Sequence, residues 1–334
     1  MGFAANYLRN LSSLATGREP VRPLMFSYYV THRCGLRCQY CCDGQGRPFY
    51  EDPVPELGTN DAICLISILA KAADTLDFTG GEPLMRDDIE ELLAFARSQG
   101  MRTVLNTNGI SLPDRPAVMA NCDILVISLD AMCPTLLGEI IGGDAISAEQ
   151  VLEAVRFACS RRKETNTRVV LSAVAMPGLL FQAEKVLRFA VENNLSFQLS
   201  PQINGMTIHP ELRGSREYRQ LLDTVIACKR AGGRVLGIER YLRGIRDVAA
   251  FRCHPLLMPT IRPDASMYYP CLESGAAPVN LLDAGGYFTA LRSVHKPGNW
   301  PTCRRRCHIF CHMALSLLQR HPVEALSERK YVRN

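Results

Sequence analysis

The sequence predicts an α/β fold, a partial (β/α)6 barrel of the TIM type followed by a small C-terminal module. Apolar strands alternate with amphipathic helices between residues 24 and 201 of the 334-residue chain, and the alternation stops beyond that point. Such alternation is typical of a parallel sheet covered by helices. Cysteines cluster directly after the first strand and again near the C-terminus. In parallel α/β folds the functional residues sit where strands end.

The six strands are predicted from short apolar runs. They are LMFSYYV (24–30), TLDF (75–78), MRTVLNTNG (101–109), CDILVISLD (122–130), RVVLSAVAMPG (168–178) and LSFQLSP (195–201). Helical periodicity predicts helices between them over 60–73, 87–100, 114–121, 147–162 and 181–194. The helix over 147–162 is predicted to begin at Ser147, a residue type favoured at helix starts.

Changes of pattern divide the chain into four parts. Residues 1–23 form an N-terminal helix, 24–201 the barrel, 202–250 a helical linker, and 251–334 a cysteine-bearing module with a C-terminal helix. The linker helices are predicted over 215–233 and 239–251, and the C-terminal helix over 312–319. Residues Phe3, Tyr7, Leu11 and Leu14 form an apolar stripe. The stripe either packs on the barrel or contacts a membrane surface or a lipophilic substrate.

Composition excludes several classes of protein. The chain is 47% hydrophobic and 21% charged, with a net charge of +5 and no long basic run, so no nucleic-acid partner is predicted. No apolar stretch approaches the length of a membrane span, and the first residues do not read as a signal peptide. A reducing, cytoplasmic compartment is therefore expected, where clustered cysteines among the 14 more often hold metal than form disulfides.

The stretch THRCGLRCQYCCDGQ (31–45) carries the first cysteine cluster. Cys34, Cys38 and Cys41, at spacings of four and three, can each bind one iron of a four-iron cubane, which leaves the fourth iron open. An open position is typical of a catalytic metal centre. A zinc site would need a second pair of ligands, and a ferredoxin-type site a fourth cysteine. Cys42 is interpreted as a spare thiol.

These residues resemble the signature of the radical SAM superfamily, including the aromatic Tyr40 before the third cysteine. TGGEPL (79–84), after the second strand, resembles the family's GGE motif. The resemblance implies that Gly80, Gly81 and Glu82 receive the amino group of S-adenosylmethionine (SAM). It further implies cofactor contacts from residues at later strand ends, namely Asn106, Asn108, Ser128, Asp130, Ser172 and Gln198 or Ser200.

The second cluster comprises Cys253, Cys271, Cys303, Cys307 and Cys311. The turn sequence RPDAS predicts a hairpin that returns Cys271 beside Cys253. The arrangement resembles the twitch and SPASM auxiliary-cluster extensions of radical SAM enzymes. With five cysteines the resemblance implies one auxiliary 4Fe–4S cluster, held by the hairpin pair and two of the other three.

Two alternatives for this segment stay open. The same cysteines could form a structural zinc knot with help from His254, His308 or His312. The arginines 304–306 could offset the charge of cluster thiolates, or they could grip a substrate carboxylate.

The resemblance implies a radical SAM enzyme with a SAM-binding 4Fe–4S cluster, SAM, one auxiliary cluster and a flavodoxin- or ferredoxin-type electron donor. The 5′-deoxyadenosyl radical would abstract hydrogen from a small, lipophilic metabolite of the lipid or tetrapyrrole class. This preference rests on the N-terminal stripe and on apolar patches in the C-terminal module. Alternatives are a peptide-modifying maturase and, in another class, a non-catalytic iron–sulfur electron carrier. No catalytic acid or base is predicted.

Overall fold

Six parallel strands, hydrogen-bonded in sequence order, form the centre of the computed structural model, which describes residues 2–43, 45–274, 276–295, 305 and 307–332. The strands are β1 (Phe26–Thr31), β2 (Thr75–Gly80), β3 (Arg102–Thr107), β4 (Ile124–Ser128), β5 (Arg168–Ala175) and β6 (Ser196–Pro201). Each neighbouring pair is parallel. The predicted fold class, an open, partial α/β barrel, is confirmed.

Helices cover the outer face of this sheet. They are α1 (Phe3–Ala15), α2 (Thr59–Ala70), α3 (Ile89–Ser98), α4 (Ala117–Ala120), α5 (Pro134–Ile141), α6 (Ala145–Thr165) and α7 (Leu180–Glu192). Alternate strand residues such as Leu125 and Ile127 join the main apolar core under the helices. The opposite set, Val104, Val126 and Val170, forms a small second core on the inner face. Because side chains alternate along a strand, every polar residue in register with this second set faces the barrel interior.

Several helix boundaries differ by a few residues from the sequence predictions, and two of the differences have a visible cause. Helix α6 begins at Ala145 rather than at Ser147, because the Asp144 carboxylate caps the helix by accepting a hydrogen bond of 2.8 Å from the Ser147 N–H. The helix predicted over 239–251 is shorter, since α9 (Glu239–Arg246) ends at Arg246. Val248 then adopts a left-handed conformation (φ 51°), which ends the helical path. Helix α5 was not predicted.

The C-terminal third continues the same sheet. Strand β9 (Thr260–Ile261) pairs in parallel with β1, and β10 (Ser266–Met267) and β11 (Val279–Asn280) extend the edge with antiparallel pairing. The hairpin predicted between Cys253 and Cys271 is therefore present. The remaining elements are β7 (Ile203–Asn204), β8 (Thr207–Ile208), α8 (Arg216–Arg230), α9 (Glu239–Arg246), α10 (Tyr287–Val294), α11 (Phe310–Arg320) and α12 (Pro322–Val332). The four-part division of the chain stays a prediction.

Helix α1 docks through polar rather than apolar side chains. Asn6 and Asn10 are its buried residues, and the Asn6 amide donates hydrogen bonds of 2.8 Å to the backbone carbonyls of Pro23 and Ala72. Phe3 from the predicted stripe is 38% exposed, and the Tyr7 hydroxyl donates to the Leu318 carbonyl. In the part of the chain that the structure describes, no helix is long and apolar enough to cross a membrane.

Candidate active site

The cysteine loop between β1 and α2 is fastened to the end of β2 by backbone hydrogen bonds. The Gly81 N–H donates to the Thr31 carbonyl (2.8 Å), and the Glu82 N–H donates to the Arg33 carbonyl (2.7 Å). A Cβ atom on Gly81 would lie 2.2 Å from the Arg33 carbonyl oxygen, so only glycine permits this approach. The two glycines of the GGE sequence therefore hold the cysteine loop against the sheet.

The thiols of Cys34, Cys38 and Cys41 are partly buried and lie close enough to influence one another. Burial, with Cys41, Asp130 and Cys34 nearby, raises the pKa of Cys38 to about 12. Burial, with Cys34 and Cys42 nearby, raises the pKa of Cys41 to about 11. The loop therefore holds protonated thiols until bound cations replace their protons, as expected for soft thiolate ligands of iron.

The described residues contain no group of three or more His, Cys, Asp or Glu side chains that could hold a single metal ion. A cubane makes a different demand, because each thiolate binds its own iron and the sulfurs need not converge on one point. The N-terminal donor set of three neighbouring thiols therefore fits an iron–sulfur cluster better than a single zinc ion.

Tyr40 links the cysteine loop to the far side of the barrel. Its hydroxyl donates a hydrogen bond to the Asp130 carboxylate, which also accepts one of 2.8 Å from the Val174 N–H on β5. Asp130 is buried, and burial raises its pKa to about 6. The loop thus rests on β4 and β5 as well as on β2, and these bonds fix the position of Tyr40.

Glu82 is buried and its carboxylate is held by three donors. The Thr107 hydroxyl (2.6 Å) and the Asn108 N–H (2.7 Å) reach it from the end of β3, and the Leu84 N–H (2.9 Å) reaches it locally. Burial nevertheless raises its pKa. Asn108 also bonds the Cys34 thiol, so β3, the GGE sequence and the cysteine loop form one connected unit.

Three of the predicted polar residues occupy one row inside the barrel. Ser128 pairs in register with Ser172, and Ser172 with Gln198, on adjacent strands. The Gln198 amide donates to the Ser172 hydroxyl at 3.2 Å. Asn106 lies on β3, the strand next to Ser128 on β4, and its amide donates to the carboxylate of Asp77. The structure therefore brings these predicted residues to one interior face; their contact with SAM stays a prediction.

A half-open cavity of about 270 Å³ lies beside the cysteine loop. Its walls include Tyr29 and Tyr40 from the N-terminal half and Leu272, Glu273, Cys311 and His312 from the C-terminal module, with Phe49, Ile309 and Phe310 supplying apolar surface. A larger cleft of about 620 Å³ lies between α8, α9 and α12, where its charges are already paired, as in the Lys229–Glu328 ion pair. Only the smaller cavity adjoins the cysteine loop.

Sequence reasoning assigned no role to Tyr29 and Glu273, which line this cavity, or to Asp77 inside the barrel, and it named His312 only as a possible zinc ligand. Tyr29 and Asp77 lie on β1 and β2, and Glu273 and His312 come from the C-terminal module. Asp77 is buried and accepts hydrogen bonds from Asn106 and Ser27, and burial raises its pKa to about 7. A carboxylate in the middle of a short apolar strand was the available signal for Asp77. No local signal marks Tyr29 or Glu273.

The described cysteines of the second cluster differ in how much of their surface is exposed. Cys253, Cys271 and Cys307 are buried, with 6%, 6% and 3% of their surfaces exposed, whereas Cys311 is only partly buried. The predictions for Cys303 and for Arg304 and Arg306 lie outside the described residues. The auxiliary ligand set therefore stays a prediction.

Residues 28–190 match the family model of the "Radical SAM superfamily". This part of the chain is a radical SAM domain. The match contains the cysteine loop, the GGE sequence and five of the six barrel strands. The family uses a 4Fe–4S cluster and SAM, in agreement with the cofactors that the sequence implied.

Similar proteins carry several activities. GTP 3′,8-cyclase of Limosilactobacillus fermentum is 34% identical over 149 residues, which are 42% of this chain and 44% of that protein. Fe-coproporphyrin III synthase of Methanosarcina barkeri is 42% identical over 87 residues, 26% of this chain and 21% of that protein. The matches to these curated relatives thus span less than half of their length.

A solved structure shows that the fold extends beyond the matched domain. Streptococcus suis SuiB bound to S-adenosylmethionine superposes with a TM-score of 0.61 at 16% identity, covering 86% of this chain and 71% of that chain. The overlap therefore includes part of the C-terminal third. At this level of identity the likeness concerns the fold alone.

Proposed function

We propose that the chain is a radical SAM enzyme in which Cys34, Cys38 and Cys41 hold a 4Fe–4S cluster with one open iron. The observation that carries the proposal is the joined unit of three neighbouring thiols, the GGE sequence and the end of β3, beside a cavity that Tyr40 and Cys42 line. When bound, the cluster supplies the electron that cleaves SAM to methionine and a 5′-deoxyadenosyl radical.

The chain's own residues orient and shield this chemistry. The carbonyl edge at Gly80 and Gly81 and the inner polar row would hold the amino acid and nucleoside parts of SAM. Tyr40, fixed by Asp130, stands at the wall shared by the cysteine loop and the cavity. The apolar part of the wall excludes water from a radical formed there.

We further propose that Cys253, Cys271 and Cys307, with Cys303, hold one auxiliary 4Fe–4S cluster. The burial of the three described thiols supports this ligand set, because buried cysteines suit cluster binding. Its position next to the cavity wall at Leu272 and Glu273 would allow it to exchange electrons with the substrate site.

The proposed substrate is a small molecule with an apolar body and a polar group. The cavity has apolar walls, and Glu273 and His312 are among its polar lining residues. Its volume of about 270 Å³ is at the lower end of ligand pockets, so it accommodates a small lipophilic metabolite or one arm of a tetrapyrrole. The local similarity to Fe-coproporphyrin III synthase agrees with a substrate of the tetrapyrrole class.

A peptide substrate is the second candidate, because the cavity is half open and large enough for one side chain. The fold neighbour SuiB has also been solved with its precursor peptide SuiA. Cytoplasmic location and a flavodoxin- or ferredoxin-type donor remain part of the proposal. The two substrate classes can be distinguished by adding candidate compounds of each class. The true substrate should raise the rate of 5′-deoxyadenosine formation above the rate measured without substrate.

The test is anaerobic reconstitution with iron and sulfide, followed by dithionite reduction in the presence of SAM. We expect 5′-deoxyadenosine and methionine by mass spectrometry, and their loss in Cys38→Ala. Cys64→Ala, at an exposed position of α2, is the matched control and should retain both. Intact clusters without 5′-deoxyadenosine in the wild type would favour the electron-carrier function instead.

A further inference from the structure

Cys311 differs from the other described C-terminal cysteines in its exposure. Its thiol is partly buried on the wall of the 270 Å³ cavity. The charged groups that act on it are the carboxylates of Asp77, inside the barrel, and Glu273. The Cys311 thiol is in turn close enough to Tyr29 and Tyr241 to raise the pKa of their phenols. The thiol therefore lines the cavity close to carboxylates and phenols of the barrel and of the C-terminal module.

The start of α11 fixes the thiol in this direction. Phe310 packs edge-on against Tyr241, with ring centroids 5.1 Å apart, and the Tyr241 hydroxyl donates to the Leu199 carbonyl on β6. Residues 309–312 thereby line the cavity together with Ser200 and Pro201 of β6. Both Cys41 and Cys311 are close enough to Tyr29 to raise the pKa of its phenol, so this tyrosine is near the N-terminal cysteine loop and near this thiol.

A second observation points to a ligand at the same wall. His312 is only 5% exposed and lines the cavity, yet its Nδ1 atom has no hydrogen-bond partner among the described residues. A buried polar atom without a partner carries a cost that a bound molecule or water would remove. The wall that carries the Cys311 thiol therefore also carries a polar side chain whose hydrogen-bonding capacity is unmet among the described residues.

We propose that Cys311 is not a cluster ligand but a hydrogen-atom donor to carbon radicals formed in this cavity, an inference that rests on the function proposed above. An S–H bond is weaker than an aliphatic C–H bond, so transfer to an alkyl radical is downhill. The S–H bond breaks, a C–H bond forms on the acceptor, and a Cys311 thiyl radical remains. One electron from a low-potential iron–sulfur or flavin donor and one solvent proton restore the thiol.

The surroundings keep the thiol in the form that this step needs. Burial, reinforced by Asp77 and Glu273, raises the pKa of Cys311 to about 12, so the sulfur retains its proton near neutral pH. A thiolate could not donate a hydrogen atom.

Two measurements on Cys311→Ser and Cys311→Ala test the inference, with Cys159→Ala, a partly buried thiol on α6, as the matched control. The first is iron and acid-labile sulfide content. We expect wild-type values in the Cys311 variants and loss of one cluster in Cys307→Ala. Loss of a cluster in Cys311→Ser would overturn the inference, because it would make Cys311 a ligand.

The second measurement uses SAM and dithionite in D₂O without substrate. Exchange converts the thiol to S–D, so we expect most wild-type 5′-deoxyadenosine to carry one deuterium. The labelled fraction should fall at least ~10-fold in both Cys311 variants and persist in Cys159→Ala. Unlabelled 5′-deoxyadenosine in the wild type, or label that survives in Cys311→Ala, would overturn the inference alone. No 5′-deoxyadenosine at all would overturn the proposed function and the inference with it.

Discussion

Gly81→Ala tests the junction between the cysteine loop and β2. The added Cβ would lie 2.2 Å from the Arg33 carbonyl oxygen and 2.6 Å from that of His32. Restoring an ordinary contact of about 3.4 Å requires a backbone shift of roughly 1.2 Å, which would break the two hydrogen bonds of 2.8 and 2.7 Å that join the segments. Two lost bonds cost about 1–3 kcal/mol, and the overpacking costs about 1–3 kcal/mol. The expected loss in the free energy of unfolding is therefore about 2–6 kcal/mol.

The assay is guanidinium unfolding of the cluster-free chain followed by circular dichroism, with iron binding measured on the same preparations. Gly58→Ala is the matched control, because nothing lies within 4 Å of its added Cβ, and it should stay within about 1 kcal/mol of the wild type. We expect Gly81→Ala to bind less iron than Gly58→Ala. Equal unfolding midpoints for the two variants would refute the close approach on which the argument rests.

Three further predictions concern other buried polar groups. Tyr40→Phe removes a partner of the buried Asp130 carboxylate, so thermal unfolding should show a loss of about 1–3 kcal/mol; an unchanged melting temperature would contradict that hydrogen bond. Lys229→Met leaves the Glu328 carboxylate buried without its cation, so the free energy of unfolding measured in urea should fall by about 3–5 kcal/mol. An unchanged free energy of unfolding would show that the pair is solvated. Burial raises the folded pKa of Asp77 to about 7, so the folded state binds the extra proton and stability falls as pH rises from about 4 to 7. Asp77→Asn should therefore gain stability relative to the wild type across that range, and a pH-independent difference between the two would show that the carboxylate titrates normally.

The regular part of the barrel could be predicted because its signals are local. An apolar run such as that of β4 and the spacing of Cys34, Cys38 and Cys41 need no knowledge of the rest of the chain. Gly81 shows the limit of this reasoning. The motif predicted a role for it at the cofactor, and the structure adds a steric role against Arg33 that depends on a neighbouring strand.

The parts that escaped prediction depend on contacts between distant segments. Helix α6 begins at Ala145 because the preceding α5 ends in left-handed Gly142, which leaves Asp144 to act as the cap. The polar docking face of α1 exists because Asn6 finds carbonyls on two other segments. Cys311 has the same residue type and spacing as its neighbours, and only the placement of α11 turns it towards the barrel.

The pairing of β9 with β1 joins the C-terminal third of the chain to the first strand of the barrel. Ser27 and Tyr28 are aligned with Thr260 and Ile261, so the strand that leads into the cysteine loop has its outer edge covered by a segment more than two hundred residues away. A fragment cut after residue 201 would expose the backbone donors and acceptors of that edge to other chains. Expression of the shortened barrel should therefore yield aggregates, and any engineered exchange of the C-terminal module must carry a replacement for this short strand.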